Sequence, residues 1–262
     1  MANLKELRSR ISSVSSTMQI TSAMKMVSAA KLSKAQDAIT AMRPYADKLT
    51  ELLQNLSASL DEGANSKFAE QREVENVLVV AISSNRGLAG AFNSNIVKGT
   101  KNLIQNDLKD KKVSLLTLGK KANDILKKDF TIAKNDTAIF DHLEFDQVVL
   151  LAEEIMQDFI DKKYDRVILV YNSFKNAATQ IVKTEQFLPI EPLNQEQEEN
   201  TLADYKFEPN KTEIIEELIP KSLKMQLFKA LRDSFASEHG ARMTAMHKAT
   251  DNATELRDAL KL

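Results

Sequence analysis

Residues 4–42 read LKELRSRISSVSSTMQITSAMKMVSAAKLSKAQDAITAM. Leu4, Leu7, Ile11, Val14 and Met18 recur at spacings of three and four. So do Leu32, Ala35, Ile39 and Met42, and the repeat runs on through Ala46, Leu49, Leu53 and Leu56 to Leu60. A repeat near 3.5 residues per turn marks a helix that pairs with another helix along its length. No glycine interrupts it before Gly63. A helix over residues 1–60 is roughly 85–90 Å long at 1.5 Å per residue, against the ~10–14 residues of an ordinary globular helix. It must therefore leave the body of a compact domain as a shaft.

The seam has one defect. In strict register the positions after Met18 are Thr21, Lys25 and Ser28, all polar, while Ile20, Met24 and Val27 sit one residue to the side. The apolar stripe slips here and then returns. Either the supercoil adjusts locally, or this stretch faces neighbours other than its helical mate. Pro44 removes one backbone hydrogen bond and predicts a kink near Thr40–Pro44 without ending the helix.

Residues 61–73 break the pattern and read as a linker. Beyond them, residues 74–190 change in kind. Val77–Ile82 is a continuous apolar, β-branched run, followed by the turn residues Ser83–Gly90 and a helix from about Ala91. That is the opening of a βαβ unit. Val113–Leu118 predicts a second strand with a short helix to about Lys128, and Thr131–Ala133 a brief third. Residues 145–161 form a helix with Val148, Leu151, Ile155 and Phe159 on one face, and Arg166–Tyr171 a further strand. Ala178–Leu188 alternates like an edge strand. Strands alternating with helices imply a mainly parallel sheet.

Residues 191–208 form an acidic linker. In 209–262, Pro209 and Pro220 are placed as helix starts, and Leu223, Leu227, Leu231, Phe235, Met243, Met246, Ala253 and Leu260 trace another long helix. The expected architecture is an antiparallel coiled coil of the N- and C-terminal helices with an inserted, Rossmann-like α/β domain.

The composition excludes several functions. The formal net charge is −1, which argues against a general nucleic-acid binder. There is no cysteine, so disulfides and thiolate metal sites are ruled out. No apolar stretch approaches the ~20 residues of a membrane span, and no apolar signal-peptide core precedes the seam. Charge is nonetheless uneven. Residues 1–50 carry eight Lys or Arg against Glu6, Asp37 and Asp47, and a basic flank on a long helix suits an acidic protein surface.

Catalytic motifs fail on inspection. Gly87-Leu-Ala-Gly90 falls short of a dinucleotide fingerprint. Gly119-Lys120 has Ser114 where a phosphate loop needs glycine and Lys121 where it needs Ser or Thr. His239 and His247 are eight residues apart on one helix, or ~12 Å, too far to share a metal. His142 falls in a loop. No cofactor is expected.

Three segments carry a resemblance: residues 4–36, SSNRGLAGAFNSNIVK (83–98) and SEHGARMTAMHKATDNA (237–253), supported by RPYAD (43–47) and RVILVYN (166–172). With its ITxAMxMVxAxK and SExxARMxAM patterns, the chain resembles the γ subunits of F-type ATP synthases over nearly its whole length. The resemblance implies a non-catalytic central rotor shaft, one copy per complex. The shaft turns inside a ring of three α and three β subunits, with the α/β domain near the ε subunit and the membrane-embedded c-ring. Proton-driven rotation would change the conformation of catalytic sites on β. Membrane association would be indirect and peripheral, at the cytoplasmic face of the bacterial inner membrane.

Residue by residue, the resemblance places Ile20, Thr21, Met24 and Lys25 at rotor–stator contacts. Arg8, Arg10 and Lys31 would supply positive charge toward β, and Glu238 and Arg242 match polar positions on the returning helix. The family continues about two dozen residues beyond the position of Leu262, so the expectation is either a fragment of a longer chain or a shorter returning helix. Gly240 stands where the family more often has alanine, which costs a helix up to ~1 kcal/mol. Two other readings compete: a small α/β nucleotide-binding enzyme dimerising through helical arms, and a free-standing coiled-coil adaptor.

Overall fold

The computed structural model describes residues 4–57, 67–190 and 211–262. Residues 61–66 of the linker expected at 61–73, the linker expected at 191–208, and Pro209 lie outside the described residues. Helix α1 (Leu4–Ser57) runs unbroken for 54 residues through Pro44. It leads into β1 (Asn76–Ile82), α2 (Phe92–Asn106), β2 (Lys112–Leu118), α3 (Lys120–Leu126) and β3 (Thr131–Asp136). Then come α4 (Phe145–Ile160), β4 (Arg166–Phe174), β5 (Gln180–Leu188) and α5 (Lys211–Lys261).

The strands form one sheet in the order β3-β2-β1-β4-β5. The first four are parallel, and β5 closes one edge antiparallel to β4. β1 is apolar from Val77 to Ile82 because both its faces are covered there, as in any parallel sheet with helices on each side. Val77, Val79 and Ala81 point into a core with α2 and α3. Leu78, Val80 and Ile82 point the other way, into a core with α4 and α5.

Two expectations need correction. Pro220 does not start a helix, since α5 is continuous across it for 51 residues. Ile219 and Leu223, one on each side of the proline, are buried against the sheet. That burial offsets the ~3 kcal/mol a proline costs inside a helix. The C-terminal helix is also more than a mate for α1. Its stretch from Ile219 to Leu231 is a core layer of the α/β domain, and only beyond that does it run out as the second strand of the shaft. α1 and α5 are antiparallel, as Thr21 meets Thr250 and Met18 meets Arg257.

The loops that follow β1 and β2 lie where α5 leaves the sheet. Gly119 has φ 99, and a Cβ there would lie 2.6 Å from the Ser83 carbonyl oxygen, so only glycine fits the turn between β2 and α3. In the β1–α2 loop, Leu88 sits at φ 61 and Gly90 at φ 55. α5 passes directly over this loop, where Ala241 joins Ala89 and Phe92 in a small apolar cluster.

Candidate partner-contact surface

The seam defect resolves into two faces of one helix. Thr21 and Ser28 keep strict register and are buried in the shaft. Leu32, Ala35 and Ile39 continue the same face against Ala236 of α5. The helix does not slip to bury Ile20 and Val27, as their apolar character suggested. The Thr21 hydroxyl is satisfied where it stands, bonding the Thr17 carbonyl at 3.0 Å and the Thr250 hydroxyl at 2.8 Å. A hydroxyl that finds partners costs little to bury, and small side chains let two helices approach closely.

The displaced apolar residues face away from α5. Ile20, Met26 and Val27 are 60%, 63% and 58% exposed. With the exposed Ala23 and Ala30 they recur at spacings of three and four on the far side of α1 from Thr21, Ser28 and Ala35. Met24 and Lys25 are half-buried at the margins of this stripe. Three large apolar side chains together on a helix whose other face is already paired form a surface suited to a further partner.

Positive charge frames the stripe. Arg8, Arg10 and Lys31 are exposed along α1. Glu238 and Arg242 are not. Both are buried on α5 and paired at 2.7 Å. Burial pushes the Glu238 carboxyl up from its usual range, opposed by the charge and hydrogen bond of Arg242 and by Lys31 and Arg86. Arg242 is the cation in direct contact with the carboxylate. His239, the next residue, packs its ring edge-on against Phe235. Burial, then the charges of Arg242 and Lys31, hold it down to a pKa of about 3, so it is neutral.

Arg242 also reaches across to the β1–α2 loop, where its guanidinium donates to the Arg86 carbonyl at 3.2 Å and to the Gly87 carbonyl at 3.3 Å. Beyond this clamp Leu88 projects 64% exposed. The Lys121 side chain lies over Gly87. No spacing in the sequence brings Arg86, Leu88 and Lys121 together as a group. A leucine between two glycines was the available signal, because it is out of place in a tight polar turn.

Helix α5 therefore occupies the end of the sheet where a doubly wound fold would admit a nucleotide. Comparison with known proteins agrees with a structural role. A family model described as ATP synthase matches residues 3–262. The ATP synthase gamma chain of Christiangramia forsetii is 71% identical over 262 residues, which is all of this chain and 91% of that one. The chain belongs to the ATP synthase γ-chain family.

The gamma chain of Flavobacterium psychrophilum is 64% identical with the same coverage. Among solved structures, the central stalk and c-ring of the Tetrahymena thermophila mitochondrial ATP synthase aligns with a TM-score of 0.64 and 26% identity, covering 88% of this chain and 99% of that one. A rotor chain of the Euglena gracilis enzyme shares the fold with a TM-score of 0.66 at 22% identity, covering 98% of this chain and 94% of that one. As a γ chain, this protein is a non-catalytic subunit of the central rotor stalk. The expectations of a free-standing enzyme or adaptor give way to that family. Among the described residues, no helix is long and apolar enough to cross a membrane.

Proposed function

We propose that the outer face of α1 is the surface through which this γ chain drives its catalytic partners. In this reading the shaft turns within three α and three β subunits, and the α/β domain sits toward the ε subunit and the c-ring. Ile20, Met24, Met26 and Val27 press against β, while Arg8, Arg10, Lys25 and Lys31 engage its acidic surface. Thr21 supports the stripe from behind by fixing α1 to α5. The β1–α2 loop, with Arg86 and Leu88, adds a second contact. Because the stripe lies on one side of the shaft only, each orientation presents it to a different β subunit. Three chemically identical sites are then biased into different conformations, which is coupling through differential contacts.

The observation that carries this reading is the exposed stripe on a helix whose opposite face is buried at Thr21, Ser28, Leu32 and Ala35. Coupling to proton flow, one copy per complex, and a peripheral position at the cytoplasmic face of the bacterial inner membrane complete the proposal.

The test is assembly with cognate α and β subunits, then with the membrane sector, followed by ATPase and ATP-driven proton pumping. Ile20→Ser with Val27→Ser, and separately Lys25→Ala, are expected to lower protons pumped per ATP hydrolysed. Full coupling in both variants would refute the assignment.

A further inference from the structure

We infer that Arg242 is a positioning residue: it rivets the β1–α2 loop to the shaft, and acts on the partner subunits through that loop without touching them. The inference rests on the proposed docking of the loop tip.

Arg242 is 6% exposed, and its donors are spent inside the chain. One terminal nitrogen pairs with Glu238 at 2.7 Å and approaches His239 Nδ1 at 3.5 Å. The other nitrogen, with Nε, holds the carbonyls of Arg86 and Gly87. A partner could reach this guanidinium only by breaking those contacts. The rigid fork of an arginine can grip a carboxylate on one side and two carbonyls on the other, and a lysine cannot.

The loop needs such a grip. Leu88 stands in the left-handed region at φ 61, a conformation that a leucine keeps only when its surroundings impose it. Behind Leu88 the loop is tied at its base, where the Ser84 hydroxyl donates to the Arg86 carbonyl at 2.6 Å and the Ser84 amide to Asn93 at 3.0 Å. Arg242 adds the only side-chain tie, among the described bonds, from the shaft to residues 86 and 87. Through it, a turn of α5 carries the tip of the loop along with no lag. Glu238 completes the device by orienting the guanidinium from one helical turn below.

These 262 residues contain no cysteine, so Leu88→Cys gives a unique site among them for a nitroxide label whose mobility reports the loop. With Arg242 present the label's backbone motion should be restrained. Arg242→Gln should add a fast component and shorten the rotational correlation time severalfold. Arg242→Lys, which keeps the charge and serves if the glutamine variant does not fold, should fall between. An unchanged spectrum in either variant overturns the rivet.

In the assembled complex, Arg242→Gln and Leu88→Ala should each lower protons pumped per ATP, and the double variant should be no worse than Leu88→Ala alone. Multiplicative losses would mean that Arg242 meets the partner directly, and would overturn the inference. Full coupling in Leu88→Ala would overturn action through the loop. The Ile20 and Val27 variants test the stripe on α1 independently of either outcome.

Discussion

Between pH 7 and pH 5 the unfolded chain takes up a proton at His239 that the folded chain refuses. The folded pKa, about 3, lies below the usual 6.5, so this residue's contribution to stability is intact above 6.5 and is lost as the pH falls. Over that interval the loss is about 2 kcal/mol. Glu238 acts with the opposite sign. Its pKa is raised, so it favours the folded chain at low pH and less as the pH rises through its folded value. His239→Gln should remove the first effect alone. Urea unfolding at the two pH values should show the variant losing about 2 kcal/mol less than the parent. Gly119→Ala is expected to destabilise by at least about 2 kcal/mol, because the backbone conformation is one only glycine tolerates and Ser83 leaves no room. Thermal melts will show it. Little of this residue-level detail was legible. Glu238 and Arg242 are four apart on a helix, and such pairs are usually solvated. Their burial follows from a loop more than 150 positions away in sequence, which no local pattern announces.

At the scale of the element, α1 was read well in outline. Its spacing identified a long paired helix, and its polar interruption marked the stretch where apolar side chains stand exposed opposite the buried face. What the spacing could not say was which of two adjacent registers turns inward, because Thr21 is satisfied there by the Thr17 carbonyl of its own helix together with Thr250 on a helix far along the chain. The two faces predict different phenotypes. Ser28 is 2% exposed between the helices, so Ser28→Leu should overpack the shaft and cost about 1–3 kcal/mol in thermal unfolding. Ile20→Ser and Val27→Ser should leave the melting of the free chain within about 0.5 kcal/mol. Their effect belongs in the assembled complex, as a lower yield of complex on size-exclusion chromatography. Pro220 misled for a related reason: a proline reads as a boundary until the flanking turns are anchored by burial.

At the scale of the whole molecule, one helix belongs to two structures. α5 closes the core of the α/β domain through Leu223, Leu227 and Leu231, then leaves it to pair with α1. Alternating strands and helices foretold the parallel sheet. They did not foretell that the returning helix would be one of its layers, since a heptad-like stripe and a core-facing stripe look alike in sequence. Leu227 is fully buried, and Leu227→Ala should cost about 2–5 kcal/mol. The loss should appear together in the helical signal of the shaft and in the exposure of Tyr171 within the sheet, followed by circular dichroism and tyrosine fluorescence.

The pairing of Thr21 with Thr250 also sets a timetable. The two residues are 229 positions apart, so α1 emerges from the ribosome long before its mate exists. At roughly 5–20 residues per second, its apolar seam waits about 10–50 s alone. During that interval the nearest matching seam can be the same helix on a neighbouring nascent chain. Thr21 and Ser28, which stand in the seam where apolar residues would otherwise recur, weaken that premature pairing, so a composition suited to close packing in the finished shaft also guards it during its own synthesis.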